Sequence, residues 1–130
     1  MALVHIVLGL ALAQFLFFGF AVGKARGTYK IAAPATTGNE MFERYFRVQM
    51  NTLELLVIMV PSMILFAQYD GAYLAAVLGV IYLIGRMIYF MSYVKNPKSR
   101  SMGYGLSAFP VLVMLAGAII GAIRAAVLTL

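Results

Sequence analysis

The sequence predicts an all-α integral membrane protein, a bundle of four transmembrane helices. Three observations carry that reading. Of the 130 residues, 64% are hydrophobic and only 11% charged, with a mean hydropathy of +0.96. A soluble domain of this size could not hide so much apolar surface. The apolar residues fall into four segments, each near the roughly 20 residues that a helix needs to cross a bilayer. Most of the basic residues lie between those segments.

The first span, residues 2–23, carries no charge at all. Its start, "MALVH", has no basic n-region, and the run is too long for the apolar core of a signal peptide, so a retained span is expected. The second span covers residues 46–68 and is apolar after a polar start. The third, residues 72–94, is interrupted only by Arg86. The fourth, residues 106–128, is interrupted only by Arg124. Four spans use most of the chain, so residues 1–130 read as one transmembrane unit without a separate soluble domain.

The net charge is +6, but its placement says more. Lys24, Arg26 and Lys30 follow span one; Lys95, Lys98 and Arg100 follow span three. With four spans these two loops share a side, which the positive-inside rule makes cytoplasmic. The "QYDG" turn and both termini then lie opposite, where Arg124 is the one exception. Basic residues tied to membrane edges form no nucleic-acid patch, so no nucleic-acid partner is expected. The chain has no cysteine and one histidine, His5. That excludes a thiolate metal site, a disulfide and a protein cysteine nucleophile, and no metal site is expected. Any thiol chemistry needs a thiol from outside.

The start of span two, "FERYFRVQMNTLELLVIMVP", is the anomaly. At 100° per residue, Glu43, Arg44, Arg47, Asn51 and Glu54 fall within an arc of about 100°, while Gln49 points elsewhere. Glu43 and Arg44 fit a charge network capping a helix start. Glu54 does not, because it lies well inside the apolar run, where charges are costly unless paired or wetted and often mark function. Span three carries a matching stripe: Tyr82, Arg86, Tyr89 and Tyr93 fall within about 60°. Arg86 needs an acceptor inside the protein, and Glu54 is the candidate. Tyr89 and Tyr93 are placed to offer hydroxyls to a polar ligand. Two basic loops, residues 24–41 and 95–105, would sit above this mouth. An anionic, water-soluble ligand would enter there, and an apolar one could arrive sideways from the bilayer.

The motif "FERYFRVQMNTLE" resembles the E-R-x-x-R-x-Q-x-N-x-x-E signature of the MAPEG superfamily, membrane-associated proteins in eicosanoid and glutathione metabolism. The preceding "TTG", "YLIGRMIYFMSY" in span three and the following "KSRS" resemble its microsomal glutathione transferase and leukotriene-forming branch. The similarity runs from about residue 25 to 108. It implies a homotrimer of four-helix bundles, with glutathione as cosubstrate held between neighbouring subunits. By position, Arg47, Asn51, Glu54, Tyr89 and Tyr93 would line the peptide, with Arg26 and Gln49 contributing from the neighbour. Arg100 falls where the family has the arginine that activates the thiol, and Ser101 completes an Arg-Ser pair seen in the prostaglandin E synthase branch. Leu55, Gly27 and Leu112 stand where leukotriene-forming enzymes have tyrosine, a second arginine and tryptophan. These departures spare the glutathione half and point to a generalist transferase.

The implied reaction is attack of glutathione thiolate on a lipophilic electrophile, or reduction of a lipid hydroperoxide. Arginine stays charged and cannot take the proton, so the role of Arg100 would be to favour the anion. The implied setting is a bacterial inner membrane or the endoplasmic reticulum, with the site facing the cytoplasm and membrane lipid around it. Two rivals from other classes stand beside it. A non-catalytic lipid-presenting scaffold would not need the whole glutathione set or Arg100. A small multidrug exporter would need a buried acid in span one, which has only Gln14.

Overall fold

The computed structural model describes residues 1–130. It contains helices α1 (Ala2–Tyr29), α2 (Glu40–Asp70), α3 (Ala72–Lys95) and α4 (Ser101–Thr129), with a 3-10 turn at Pro97–Ser99. All four helices are long and apolar enough to cross a membrane. Three run past the spans read from hydropathy. α1 continues through "KARGTY", so the first basic loop is residues 30–39 and not 24–41. α2 begins six residues before its apolar run. α4 begins at Ser101, which shrinks the second basic loop to residues 96–100. Hydropathy registers only the lipid-facing part of a helix, whereas backbone hydrogen bonding carries it on into water. At 1.5 Å per residue α2 is about 46 Å long, against about 30 Å of hydrocarbon.

Local chemistry sets the helix ends. Asn39 caps α2, its Oδ1 accepting from the Phe42 N–H at 3.0 Å, and Glu40 and Glu43 place negative charge in the first turn, where the helix dipole favours it. Arg44 bonds the carboxylate of Glu40 at 2.8 Å and the carbonyls of Val94 and Lys95 at 2.9 and 3.2 Å. It thereby ties the start of α2 to the end of α3. At the other end a single residue, Gly71, joins α2 to α3 with φ of 112°, a conformation that glycine alone adopts without strain.

Val4, Ala11, Met59, Met63, Ala75, Val111 and Met114 form the centre of the bundle. Leu10, Leu16, Phe20, Phe109 and Ile120 point outwards, as befits a surface whose solvent is lipid. α3 and α4 make the closest approach. A Cβ on Gly85 would lie 2.6 Å from the Leu106 carbonyl carbon and the Ser107 nitrogen, and one on Gly103 would collide with the Tyr89 backbone. Small residues at such crossings let helix backbones meet where no hydrophobic effect drives association.

That contact gives a direct check. Gly85→Leu is expected to lower stability by about 1–3 kcal/mol through overpacking, whereas Gly9→Leu, where a Cβ meets nothing within 4 Å, should be neutral. Thermal unfolding of both variants in detergent measures the difference. Equal melting temperatures would remove the close α3–α4 crossing as a determinant of the fold.

Candidate active site

The start of α2, the end of α3 and the start of α4 enclose an open cavity of about 550 Å³ at the basic end of the bundle. Arg47 and Asn51 line it from α2, Tyr89 and Tyr93 from α3, and Arg100, Ser101, Tyr104 and Gly105 from the turn and α4. Tyr89 and Tyr93 lie one turn apart with ring centroids at 5.5 Å, and Tyr104 faces Tyr89 at 6.3 Å. A second cavity of about 410 Å³, lined partly by Thr36, Thr37, Glu43 and Pro97, shares Arg47 and Tyr93 with the first.

Beneath the cavity lies Arg86, fully buried. Its Nε donates to Ser107 Oγ at 3.0 Å, and its Nη1 to Asn51 Oδ1 at 2.8 Å and Thr52 Oγ1 at 3.2 Å. The guanidinium sits 4.2 Å from the Tyr89 ring centroid and 5.9 Å from that of Tyr104. The expected partner, Glu54, is not among these groups. Asn51 and Thr52 turn towards α3, whereas Glu54 is exposed on the outer side of α2. Both ion pairs of the chain, Arg44–Glu40 and Arg124–Asp70, lie elsewhere. Arg86 is therefore a buried cation held by neutral oxygens and aromatic faces. Thr52 and Ser107 can serve it because their hydroxyls also donate to the Val48 and Gly103 carbonyls one turn back.

Of the nine residues singled out from the sequence, Arg47, Asn51, Tyr89, Tyr93, Arg100 and Ser101 meet in the cavity. Arg26, Gln49 and Glu54 lie outside it. Arg26 donates to the Ala35 carbonyl at 2.7 Å and stacks 4.9 Å from the Phe42 ring centroid, so within this chain it closes the first loop. Gln49 is half-buried against Gly19 of α1. Glu54 has no hydrogen-bond or ion-pair partner within its own chain. The sequence reading missed Tyr104 and Gly105. Their spacing from Arg100 and Ser101 is that of one helical turn, a signal hidden by placing the start of the helix at residue 106.

The electrostatics are one-sided. Arg47 and Arg100 line the cavity, Arg86 lies under it, and no carboxylate is among the lining residues. Arg100 Nη1 is fixed to the Pro97 carbonyl at 3.2 Å, and α4 starts immediately after it. The first N–H groups of a helix lack internal partners and carry the positive end of its dipole. Such a pocket favours an anion, with tyrosine hydroxyls and an amide to orient it.

The sequence profile of the MAPEG family matches residues 4–120. The chain belongs to the MAPEG family. Its fold and membership make it an integral, multi-pass membrane protein. An uncharacterized protein of Synechocystis sp. is 39% identical over 115 residues, 88% of this chain and 84% of that one. Microsomal glutathione S-transferase 2 of Homo sapiens is 38% identical over 104 residues, 79% of this chain and 71% of that one. Leukotriene C4 synthase of Cavia porcellus is 30% identical over 105 residues, covering 81% and 70%. The family match spans the whole cavity lining.

The state of Arg86 can be tested through stability. Arg86→Met removes the buried charge but also the hydrogen bonds to Asn51, Thr52 and Ser107 that join α2 and α4 to α3, while the freed Asn51 amide can be wetted from the cavity. Arg86→Met is therefore expected to fold with a melting temperature clearly below wild type. Arg86→Glu should fail to fold, because it faces a carboxylate with the Asn51 and Thr52 oxygens. The opposite order would show that a carboxylate is tolerated at this place in the bundle.

Proposed function

We propose that this MAPEG protein is a membrane-bound glutathione transferase that attacks lipophilic electrophiles with glutathione thiolate and can also reduce lipid hydroperoxides. The observation that carries the reading is the cavity itself, cation-rich and free of carboxylates at the basic end of the bundle, in a chain akin to microsomal glutathione S-transferase 2. Glutathione is a small peptide with net negative charge at neutral pH, and Arg47, Asn51, Tyr89 and Tyr93 would hold its carboxylates and amides. Glu54, the acid deepest in the membrane on this face of α2, would take its ammonium group.

Arg100 and the start of α4 would act on the sulfur. A free thiol with pKa about 8.5 is mostly protonated at neutral pH, and the thiolate is the nucleophile. A guanidinium and unpaired helix N–H groups stabilise the anion without accepting its proton. Lowering the pKa by ~2 units takes ~2.7 kcal/mol. The sulfur then bonds to the electrophilic carbon as the leaving group departs with the bonding pair. With a hydroperoxide, the thiolate attacks the terminal oxygen, the O–O bond breaks and the lipid leaves as its alcohol after taking a proton. The glutathione sulfenic acid so formed condenses with a second glutathione to give glutathione disulfide and water. Ser101 would position the sulfur or relay its proton.

The active unit in this reading is a homotrimer. Arg26 and Gln49 lie outside the cavity of their own chain and would reach that of the neighbour, which also covers the polar arc of α2. The positive-inside rule gives the cavity mouth to the cytoplasm, in a bacterial inner membrane or the endoplasmic reticulum.

The deciding experiment is glutathione binding to detergent-purified protein, followed by conjugation to a lipophilic electrophile. Arg100→Ala should lower turnover roughly a hundredfold, the equivalent of ~2.7 kcal/mol, with a much smaller loss of glutathione affinity. Because the folded site lowers the thiol pKa, wild-type activity should already be high at neutral pH. The variant should recover part of its rate as pH rises towards the ordinary thiol pKa. Full conjugation and thiolate absorbance in Arg100→Ala at neutral pH would shift the activating role elsewhere. Binding without turnover in the wild type would favour the scaffold reading.

Assembly is checked separately. Cross-linking or native mass spectrometry in mild detergent should yield a trimer, and a fully active monomer would remove the intersubunit site.

A further inference from the structure

We propose that the groove between the basic ends of α1 and α3 binds one anionic phospholipid from the leaflet that the basic loops face. A cavity of about 500 Å³ opens there on the outer surface, with Phe17 and Phe20 of α1 and Phe90 of α3 as its apolar wall. Phe90 is pinned in place by the rings of Phe17 at 5.8 Å, Phe18 at 5.0 Å and Tyr45 at 6.0 Å, so the wall is pre-formed. The polar groups sit at one end: Lys24, Thr28, Tyr29 and Tyr45.

The dimensions fit the headgroup side of one leaflet. From Phe17 to Lys24 the helix rises about 10 Å, within the roughly 15 Å of hydrocarbon in half a bilayer. Aromatic side chains then face the acyl region, and the cation and hydroxyls face the headgroups. Charge selects the class of lipid. Lys24 is exposed and belongs to neither ion pair of the chain, and no acidic residue lines the groove. Basic pockets between helices on this side of a membrane are suited to anionic headgroups. The seam itself supplies an internal comparison. Towards the opposite leaflet α1 and α3 enclose a further cavity of about 330 Å³, lined by apolar side chains including Leu3, Ile6 and Val77, with Tyr73 as its one side-chain hydroxyl and no cation. That end can take an acyl chain but has no charge with which to choose an anionic headgroup.

The groove is separate from the cavity described above. Phe17 and Lys24 lie about 180° and 160° from Arg26 around α1, so the apolar wall and the cation of the groove face away from the side that carries Arg26. The proposal needs only the membrane-spanning fold, not the transferase reading.

Native mass spectrometry of the purified protein, delipidated and exchanged with mixed micelles of phosphatidylglycerol and phosphatidylcholine, tests it. Wild type should retain phosphatidylglycerol about fivefold over phosphatidylcholine, the worth of one lysine near the membrane surface. Lys24→Gln should bring the ratio to parity. Lys98→Gln, the same charge change outside the groove, should leave the preference intact. Ala21→Trp, which fills the groove and keeps its charge, should release the lipid. Inorganic phosphate at matched ionic strength should displace nothing. Melting temperatures of all variants confirm that each is folded. An undiminished preference in Lys24→Gln, equal losses in Lys24→Gln and Lys98→Gln, or a lipid retained in Ala21→Trp would each overturn the proposal.

Discussion

Much of the basic end of this bundle depends on one buried guanidinium. Arg86 gathers oxygens from α2 (Asn51, Thr52) and α4 (Ser107) onto α3, so three helices share one polar knot inside an apolar core. The knot has no carboxylate in it, and that matters. A carboxylate would cancel the charge, whereas neutral oxygens and the faces of Tyr89 and Tyr104 only disperse it. The positive potential is left to act on the cavity above, whose Asn51, Tyr89 and Tyr104 are the same groups that hold Arg86. Cavity shape and cavity charge therefore have a common origin.

Small residues make the knot possible. Gly85, next to Arg86, and Gly103, one turn before Ser107, let the α3 and α4 backbones come within reach of each other. With that crossing wider, Ser107 would no longer meet the guanidinium Nε, and the start of α4 would move away from Tyr89. The close crossing also brings Arg100 and Ser101 to the rim of a pocket built mainly on α2 and α3. Backbone packing is thus linked to the electrostatics of the site through a few side chains.

The four spans were legible because lipid imposes a length and a composition on every crossing segment. The polar arc of α2 and the tyrosine stripe of α3 were legible because helical periodicity puts Arg47 with Asn51, and Tyr89 with Tyr93, on single faces. Helix ends beyond the lipid were not, since polar residues such as Lys24 or Ser101 continue a helix without any hydropathic signal. Tyr104 and Gly105 were lost for that reason. The partner of Arg86 was misjudged for another. Charge matching favoured Glu54, but the direction in which α2 faces α3 is a tertiary fact. Asn51 and Thr52 face α3; Glu54 faces outwards. A one-dimensional pattern identifies a polar face without saying which part of it is shared with the same chain.

Glu54 carries that argument one step further. It lies 14 residues beyond the first residue of α2, about 21 Å along the helix, and is exposed there. A bare carboxylate facing lipid at such depth is costly, about 2.5–3.5 kcal/mol by insertion scales. Nothing in its own chain relieves it: Arg47 lies two turns nearer the water and lines the cavity, and Arg86, although its Nη2 has no hydrogen-bond partner, is buried inside the bundle and forms no ion pair with it. Relief has to come from outside the chain, as a covering helix, a bound cationic group, or water admitted by both. In the trimer proposed above, a second copy and a zwitterionic ligand together would supply all three. The exposed carboxylate, a liability in an isolated subunit, is thus the feature that the proposed assembly would relieve.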